Sequence, residues 1–241
     1  MMKEIEINGL SKPPFAVDES INQLRVNLEF CGDNIRVIMV TSSVPSEGKT
    51  FIAIHLWRML TEMGYVALLM DCDLRKSALR ARYGMVSDEE VTGIEHYLAG
   101  KVSLEDAIYA TNIPNGYVMP VGHSVSNPKL LLENELFSSM MQTCRESFDY
   151  IIVDTPPLDS VADAMNIAKF ADGSLLVVHS GKTSRRLVQA SVQSLQKTTA
   201  PLLGVVLNRV GTTERSAYYR NKSYYSAYGK YGKYGKGYGE K

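Results

Sequence analysis

Three short segments carry residue types that could do chemistry together. The first is Ser43-Val44-Pro45-Ser46-Glu47-Gly48-Lys49-Thr50. A lysine and a hydroxyl directly after a glycine, at the start of a helix, are what a bound triphosphate needs. Backbone N–H groups and the helix dipole take the phosphate oxygens, the ammonium neutralises β/γ charge, and the threonine hydroxyl ligates Mg2+. The strict pattern GxxxxGK[ST] wants glycine where Ser43 stands, so the loop alone also reads as an ordinary glycine-capped turn bearing an exposed lysine. The second segment is Asp71-Cys72-Asp73-Leu74-Arg75 and the third Asp154-Thr155-Pro156-Pro157. Taken alone, Asp71 and Asp73 read first as a helix cap and a solvated loop acid. Beside a phosphate loop, such carboxylates can hold Mg2+ or its waters.

For these side chains to meet, each segment must end a strand at the same rim. An apolar run rich in β-branched residues, Ile35 to Val40, stops at Thr41, and a helix pattern of Ile52, Leu56, Met59 and Leu60 follows the loop. Tyr65 to Met70 runs apolar into Asp71, and Tyr150 to Val153 runs apolar into Asp154. In open α/β sheets ligands bind where strands emerge at their carboxyl ends. Two more buried strands, Ser174 to His179 and Leu202 to Asn208, alternate with helices over Ser160 to Phe170 and Ser184 to Lys197. Apolar strands without alternating polarity, separated by helices, indicate a mostly parallel sheet covered on both faces. The expectation is one doubly wound α/β domain of the P-loop NTPase type over residues 18–212.

The remaining segments carry simpler expectations. Residues 1–17 read as irregular, with Pro13-Pro14 preventing a helix. A helix follows from Asp18, with Ile21, Leu24 and Leu28 on one face and Glu19, Asn22 and Arg25 on the other. Residues 76–116 read as helical pieces and loops, Tyr117 to Val121 as a short strand, and Pro128 to Met140 as one helix. His55 and Trp57 read as packing residues, and His96 as a surface or half-buried one. His123, in a loop, could touch a ligand.

With 241 residues and 45% apolar composition the chain can bury a sizeable core. Three cysteines, Cys31, Cys72 and Cys144, are odd in number and lack metal-ligand spacing, which argues against a disulfide framework or a zinc site. Reduced thiols suit a cytoplasmic protein. No apolar run approaches the roughly 18 residues of a spanning helix, and the polar N-terminus is not a signal peptide. Membrane association is therefore expected through a partner.

Net charge is zero but unevenly spread. From Glu214 onward, seven Lys/Arg (Arg215, Arg220, Lys222, Lys230, Lys233, Lys236, Lys241) face Glu214 and Glu240, giving +5 and leaving −5 on residues 1–213. That segment also holds eight of the chain's 14 tyrosines: Tyr218, Tyr219, Tyr224, Tyr225, Tyr228, Tyr231, Tyr234 and Tyr238. Its Gly- and Lys-rich composition cannot build a core and predicts a disordered tail over residues 213–241. The root-mean-square span of such a tail is about 30 Å. It reads as a sticky aromatic segment, a nucleic-acid binder or a phosphorylation cluster. Each phosphate would add about −1.5 to −2 charge, so a few would reverse its sign. No basic surplus on the folded part supports nucleic acid as a partner.

Taken together, the modified phosphate loop Ser43 to Thr50, the DxDxR pattern Asp71 to Arg75, the strand ending Asp154-Thr-Pro156-Pro157 and the tyrosine-rich terminus resemble the bacterial protein-tyrosine kinases of exopolysaccharide and capsule synthesis. Ser43 in place of glycine agrees with that family. The resemblance implies autophosphorylation of the tail tyrosines with ATP and Mg2+, chiefly between subunits. Ser46, Glu47, Gly48, Lys49, Thr50 and Phe51 would hold the phosphates, and Asn208 resembles an adenine-reading asparagine. Thr50, Asp73 and Asp154 would hold the metal. Asp71 would orient or deprotonate the attacking hydroxyl, although the three acids could exchange roles. The resemblance further implies a transmembrane activator of the polysaccharide co-polymerase type, a protein tyrosine phosphatase, neighbouring subunits, and recruitment to the inner face of the plasma membrane. Family members often carry ExxRxxR on the helix that builds a ring of subunits; here the positions are Glu19, Asn22 and Arg25, so only Glu19 and Arg25 could pair across such an interface. The competing class is a nucleotide-switched ATPase of the partition and division-site type. That class places a lysine early in its loop, where this chain has Ser42-Ser43-Val44-Pro45.

Overall fold

Strands buried on both faces need apolar side chains at every position, and the middle of this sheet has them. In the computed structural model, which describes residues 2–211, Val37, Ile38, Met39 and Val40 of β2 (Val37–Ser42) are all 0% exposed. Their alternation divides them between two cores. Val37 and Met39 join Leu68, Met70, Ile151 and Val153 on one face, packed under Phe137, Met140 and Ile167. Ile38 and Val40 join Leu69, Ile152, Leu175 and Val177 on the other, against Leu56, Trp57, Leu60 and Leu28. Each such side chain contributes about 1.5–3 kcal/mol by leaving water.

In chain order the elements are β1 (Lys3–Ile7), α1 (Phe15–Glu29), β2, α2 (Lys49–Glu62), β3 (Ala67–Asp71), α3 (Leu79–Tyr83), β4 (Met85–Val86) and α4 (Ile94–Leu98). There follow α5 (Leu104–Ala107), β5 (Tyr109–Thr111), β6 (Gly116–Met119), α6 (Lys129–Leu132), α7 (Glu135–Ser147) and β7 (Tyr150–Asp154). A 3-10 turn (Leu158–Ser160), α8 (Val161–Ala168), β8 (Gly173–His179), α9 (Arg185–Leu195) and β9 (Leu202–Asn208) complete the described chain. The nine strands lie in the order β4-β1-β5-β6-β3-β7-β2-β8-β9. From β6 to β9 every pairing is parallel, whereas β5 with β6 and β1 with β4 are antiparallel. The sheet is thus mostly parallel with helices on both faces, as the sequence pattern requires.

The N-terminal segment departs from expectation. Residues 3–7 form a strand parallel to β5, with Ile5 and Ile7 buried. Five residues of which three are Lys3, Glu4 and Glu6 give little apolar signal, and the partner strand lies about a hundred residues away. Helix α1 begins at Phe15, with Pro14 at its N-cap and the Val17 and Asp18 N–H groups donating to the Pro14 carbonyl. Proline suits that position because its own N–H is not required. The apolar run after Pro128 forms two helices instead of one, because the Asn134 side chain caps α7 by accepting from the Leu136 N–H at 3.2 Å. Trp57 packs as expected, donating its indole N–H to the Ala67 carbonyl at 2.9 Å. Among the described residues no helix is long and apolar enough to cross a membrane.

Candidate active site

The three central strands end at one rim. In the ladder Val40 lies opposite Asp154, and Asp71 lies opposite the other side of Asp154. The two acids therefore stand on adjacent strands, both essentially inaccessible to solvent. Asp73 follows one residue beyond Cys72, whose N–H donates to the Asp154 carbonyl at 2.8 Å. Lys49, at the start of α2, reaches across to them. Its Nζ lies 2.9 Å from Asp73 Oδ2 and 3.6 Å from Asp154 Oδ1.

The loop that delivers Lys49 is held by buried polar contacts. Ser46 and Gly48 have φ of 67° and 101°, conformations that favour glycine and cost most other residues about 1–2 kcal/mol. A Cβ on Gly48 would fall 2.0 Å from Asn208 Nδ2. That amide, at the end of β9, donates to the Glu47 carbonyl at 2.8 Å. The Glu47 side chain is buried and turned inward. It accepts from Val44 N–H at 3.0 Å, from His179 N–H at 3.2 Å and from the Thr183 hydroxyl. Ser43 accepts a hydroxyl hydrogen bond from Ser191 at 2.8 Å, so the residue that breaks the strict loop pattern ties the loop to α9. Ser46 is exposed at the loop tip. Phe51, one turn into α2, lies against His55 with ring centroids 4.3 Å apart. Burial, and then Arg58, lower the His55 pKa to about 4, which keeps it a neutral packing residue.

Crowding of carboxylates sets the electrostatics. Burial, and then the Asp154 charge, push Asp71 up to about 7, against the Ser77 hydroxyl and the Asp73 N–H that bond it at 2.5 and 3.1 Å. Burial also raises Asp154, opposed chiefly by Lys49. Burial works against the Lys49 ammonium, but Asp154 and Asp73 outweigh it and hold the pKa above the usual lysine value. With all groups ionised, three carboxylates and one ammonium leave the cluster at −2. Asp154 Oδ1 is buried and has no hydrogen-bond partner among the described residues. The Lys49 ammonium faces this oxygen at 3.6 Å, beyond hydrogen-bond distance, so a second cation at closer range would be favoured there.

The AAA domain family model matches residues 35–202, a span that starts just before β2 and includes all three acids. Over 193 residues the chain is 39% identical to the tyrosine-protein kinase CpsD of Streptococcus pneumoniae serotype 4, covering 80% of this chain and 84% of that protein. This chain belongs to the bacterial tyrosine-kinase family. The chain is also similar to the solved chimerical protein CapA2B2, at a TM-score of 0.75 and 30% identity over 82% of this chain and 86% of that one. The fold is shared more widely. The septum site-determining protein MinD of Pyrococcus horikoshii, solved with Mg-ADP, superposes at a TM-score of 0.64 and 27% identity over 75% of this chain and 73% of that one.

Within this kinase domain, most residues singled out from the sequence converge on one rim, namely Ser46 to Thr50, Asp71, Asp73, Asp154 and Asn208, whereas the Phe51 side chain packs against His55 and the core beneath α2. The Asp154 oxygen that lacks a hydrogen bond, the net negative cluster and the buried Thr50 at the helix start fit a divalent cation held by Thr50, Asp73 and Asp154. Glu47 and Asn208 act on the loop through the contacts above. Arg25 is buried in α1, where it pairs with Glu29 at 2.5 Å and with the Asn22 side chain at 3.1 Å, while Glu19 is exposed. Pairing Arg25 across an interface would mean releasing Glu29. The eight tail tyrosines, Tyr218 to Tyr238, lie outside the described residues. Ser77 and Thr183 are site residues that sequence reasoning missed, since neither belongs to a spaced motif.

Proposed function

We propose that this chain is an ATP-dependent protein-tyrosine kinase that phosphorylates the tyrosines of its own C-terminal segment, mainly on a neighbouring subunit, and so regulates capsular or exopolysaccharide synthesis. The observation that carries this reading is the meeting of one lysine and three aspartates beside a glycine-dependent loop, in a kinase-family chain that ends in eight tyrosines. Lys49 would exchange its carboxylate partners for the β/γ-phosphates when nucleotide arrives. Asp73, Asp154 and Thr50 would then hold Mg2+, which neutralises phosphate charge. Asp71 would orient a phenol and accept its proton. The tyrosine oxygen bonds to Pγ as the bond from Pγ to the β,γ-bridging oxygen breaks, and ADP leaves. A free phenol has a pKa of about 10, so the proton moves late and most of the rate comes from electrostatic stabilisation of the transferring group.

The −5 body of one subunit and the +5 terminus of its neighbour would attract one another until several phosphates reverse the terminal charge. Control is proposed to come from a transmembrane modulator that recruits the kinase to the inner face of the plasma membrane, with a tyrosine phosphatase resetting it. Incubation of the purified protein with ATP and Mg2+, plus the modulator where required, should give a ladder of phosphate additions in the intact mass. Lys49→Met should abolish it. Phosphate release unaffected by removal of residues 212–241, with no tyrosine labelling, would favour a nucleotide-switched binding protein instead.

A further inference from the structure

Beside Asp71 lies a cavity of about 450 Å³ whose lining includes Arg75, Lys76, Arg80 and Ser77 but no acid. In a body of net negative charge this concentration of cations is unusual. Arg75 is already committed, to Asp163 at 2.7 Å and to the Ser126 carbonyl at 3.0 Å. Lys76 is exposed and forms no ion pair among the described residues. Arg80 donates through Nη1 to the Gly122 carbonyl at 3.2 Å, but its Nε is buried and has no partner among the described residues. A buried guanidinium donor left unmatched calls for an acceptor that arrives from outside. The remaining wall includes Met85 and Val121, both apolar. Cations and apolar atoms lining one cavity suit an aromatic ring carrying a phosphate better than a bare anion.

We propose that this cavity binds a phosphotyrosyl side chain of the C-terminal segment and thereby presents a neighbouring tyrosine to Asp71. The proposal rests on the kinase reading above and adds a substrate preference to it. Ser77 lines the cavity and its hydroxyl donates to Asp71 Oδ2 at 2.5 Å, so one side chain separates the cavity from the acid. Tyr228, Tyr231 and Tyr234 recur every third residue, which places the Cα atoms of successive tyrosines no more than about 11 Å apart along the chain. The unmodified segment is basic and is repelled by a basic cavity; each phosphate offsets that charge by about −1.5 to −2 and supplies a local anion for the cavity's cations. The product of one transfer thus becomes the anchor for the next, and phosphates accumulate on chains that already carry one.

The test uses the full chain with two peptides spanning residues 227–238, one unmodified and one phosphorylated at Tyr231. The primed peptide should be phosphorylated at a second tyrosine with kcat/KM at least about 10-fold higher, the gain expected from charge-assisted hydrogen bonds. Lys76→Glu should remove this advantage while Mg-ADP binds equally well; Arg80→Gln should do the same. Equal rates for the two peptides, or an advantage that survives Lys76→Glu, would overturn the proposal. Direct binding provides a readout independent of turnover. Phenyl phosphate should perturb the NMR signals of residues 75–85 at lower concentration than inorganic phosphate, and equal potency of the two would leave a plain anion site and refute the phosphotyrosine assignment. If neither peptide is phosphorylated by the wild-type protein, the kinase reading fails, and the binding measurement still decides the cavity.

Discussion

Asp71 is fully buried, beside a second carboxylate, and bonded to a serine hydroxyl. Its folded-state pKa of about 7 exceeds the ordinary aspartate value of 3.8, so between those limits the folded protein holds a proton that the unfolded chain has released. Stability contributed at this position therefore falls as pH rises from about 4 to 7, by an amount on the order of a few kcal/mol. Asp71→Asn should consequently stabilise the nucleotide-free protein at pH 8, with the gain vanishing near pH 4, as read from thermal melts across that range. The same substitution should lower tyrosine transfer by at least about 100-fold if Asp71 takes the proton. In the wild type, kcat/KM should rise with pH through about 7, since this ratio reports the free enzyme. Lys49→Met leaves Asp73 and Asp154 without their shared cation. It should weaken Mg-ATP binding and reduce transfer by at least about 100-fold.

At the scale of elements, the phosphate loop is shaped from outside as much as from within. Gly48 needs both a left-handed backbone and room for the Asn208 amide. Gly48→Ala should weaken Mg-ADP binding about 10-fold or more, because about 1–2 kcal/mol of backbone strain adds to displacement of Asn208; calorimetric titration would measure it. Glu47 gathers donors from the loop, β8 and the turn after β8. Glu47→Gln offers an amide N–H to a site made for accepting, and should cost about 1–3 kcal/mol. For a domain of this size that corresponds to roughly 2–4 °C in Tm per kcal/mol. An unchanged Tm would show that Glu47 does not brace the loop.

At the scale of the molecule, the sheet extends further than its parallel core. Strand β1 buries Ile5 and Ile7, and its end is held where Ile7 N–H meets the Asn112 side chain at 3.0 Å and Gly9 N–H meets the Tyr83 carbonyl at 2.8 Å. Removing residues 1–8 should destabilise the fold by about 3–6 kcal/mol, from about 1.5–3 for each isoleucine, as measured by urea unfolding. Removing residues 212–241 should instead leave Tm and nucleotide affinity unchanged while eliminating most phosphate acceptors. Mixing a full-length Lys49→Met chain with a catalytically intact chain lacking residues 212–241 isolates transfer between subunits. Label should appear on the inactive partner, and its absence would mean that transfer stays within one chain.

The strands ending in Lys49's loop, Asp71 and Asp154 were legible from the amino-acid order because a strand covered on both faces must be apolar at every position, and its end is marked where charge begins. The brevity of β1, β4 and β5 hid them, since two to five residues with alternating or mixed polarity carry no distinctive period and depend on distant partners for their pairing. The break between α6 and α7 was hidden for a related reason: the apolar spacing continues across it, and only the Asn134 cap ends one helix and starts another. Motif spacing by itself determined which lysine and which aspartates could serve a triphosphate. Tertiary structure alone decided that Asp71 and Asp154 are neighbours, because strand order in a sheet follows from crossover connections and is not written in the spacing of residues. It also decided that Ser43, Glu47 and Asn208 brace one loop and that Ser77 separates Asp71 from a basic cavity, contacts made between side chains far apart in the chain.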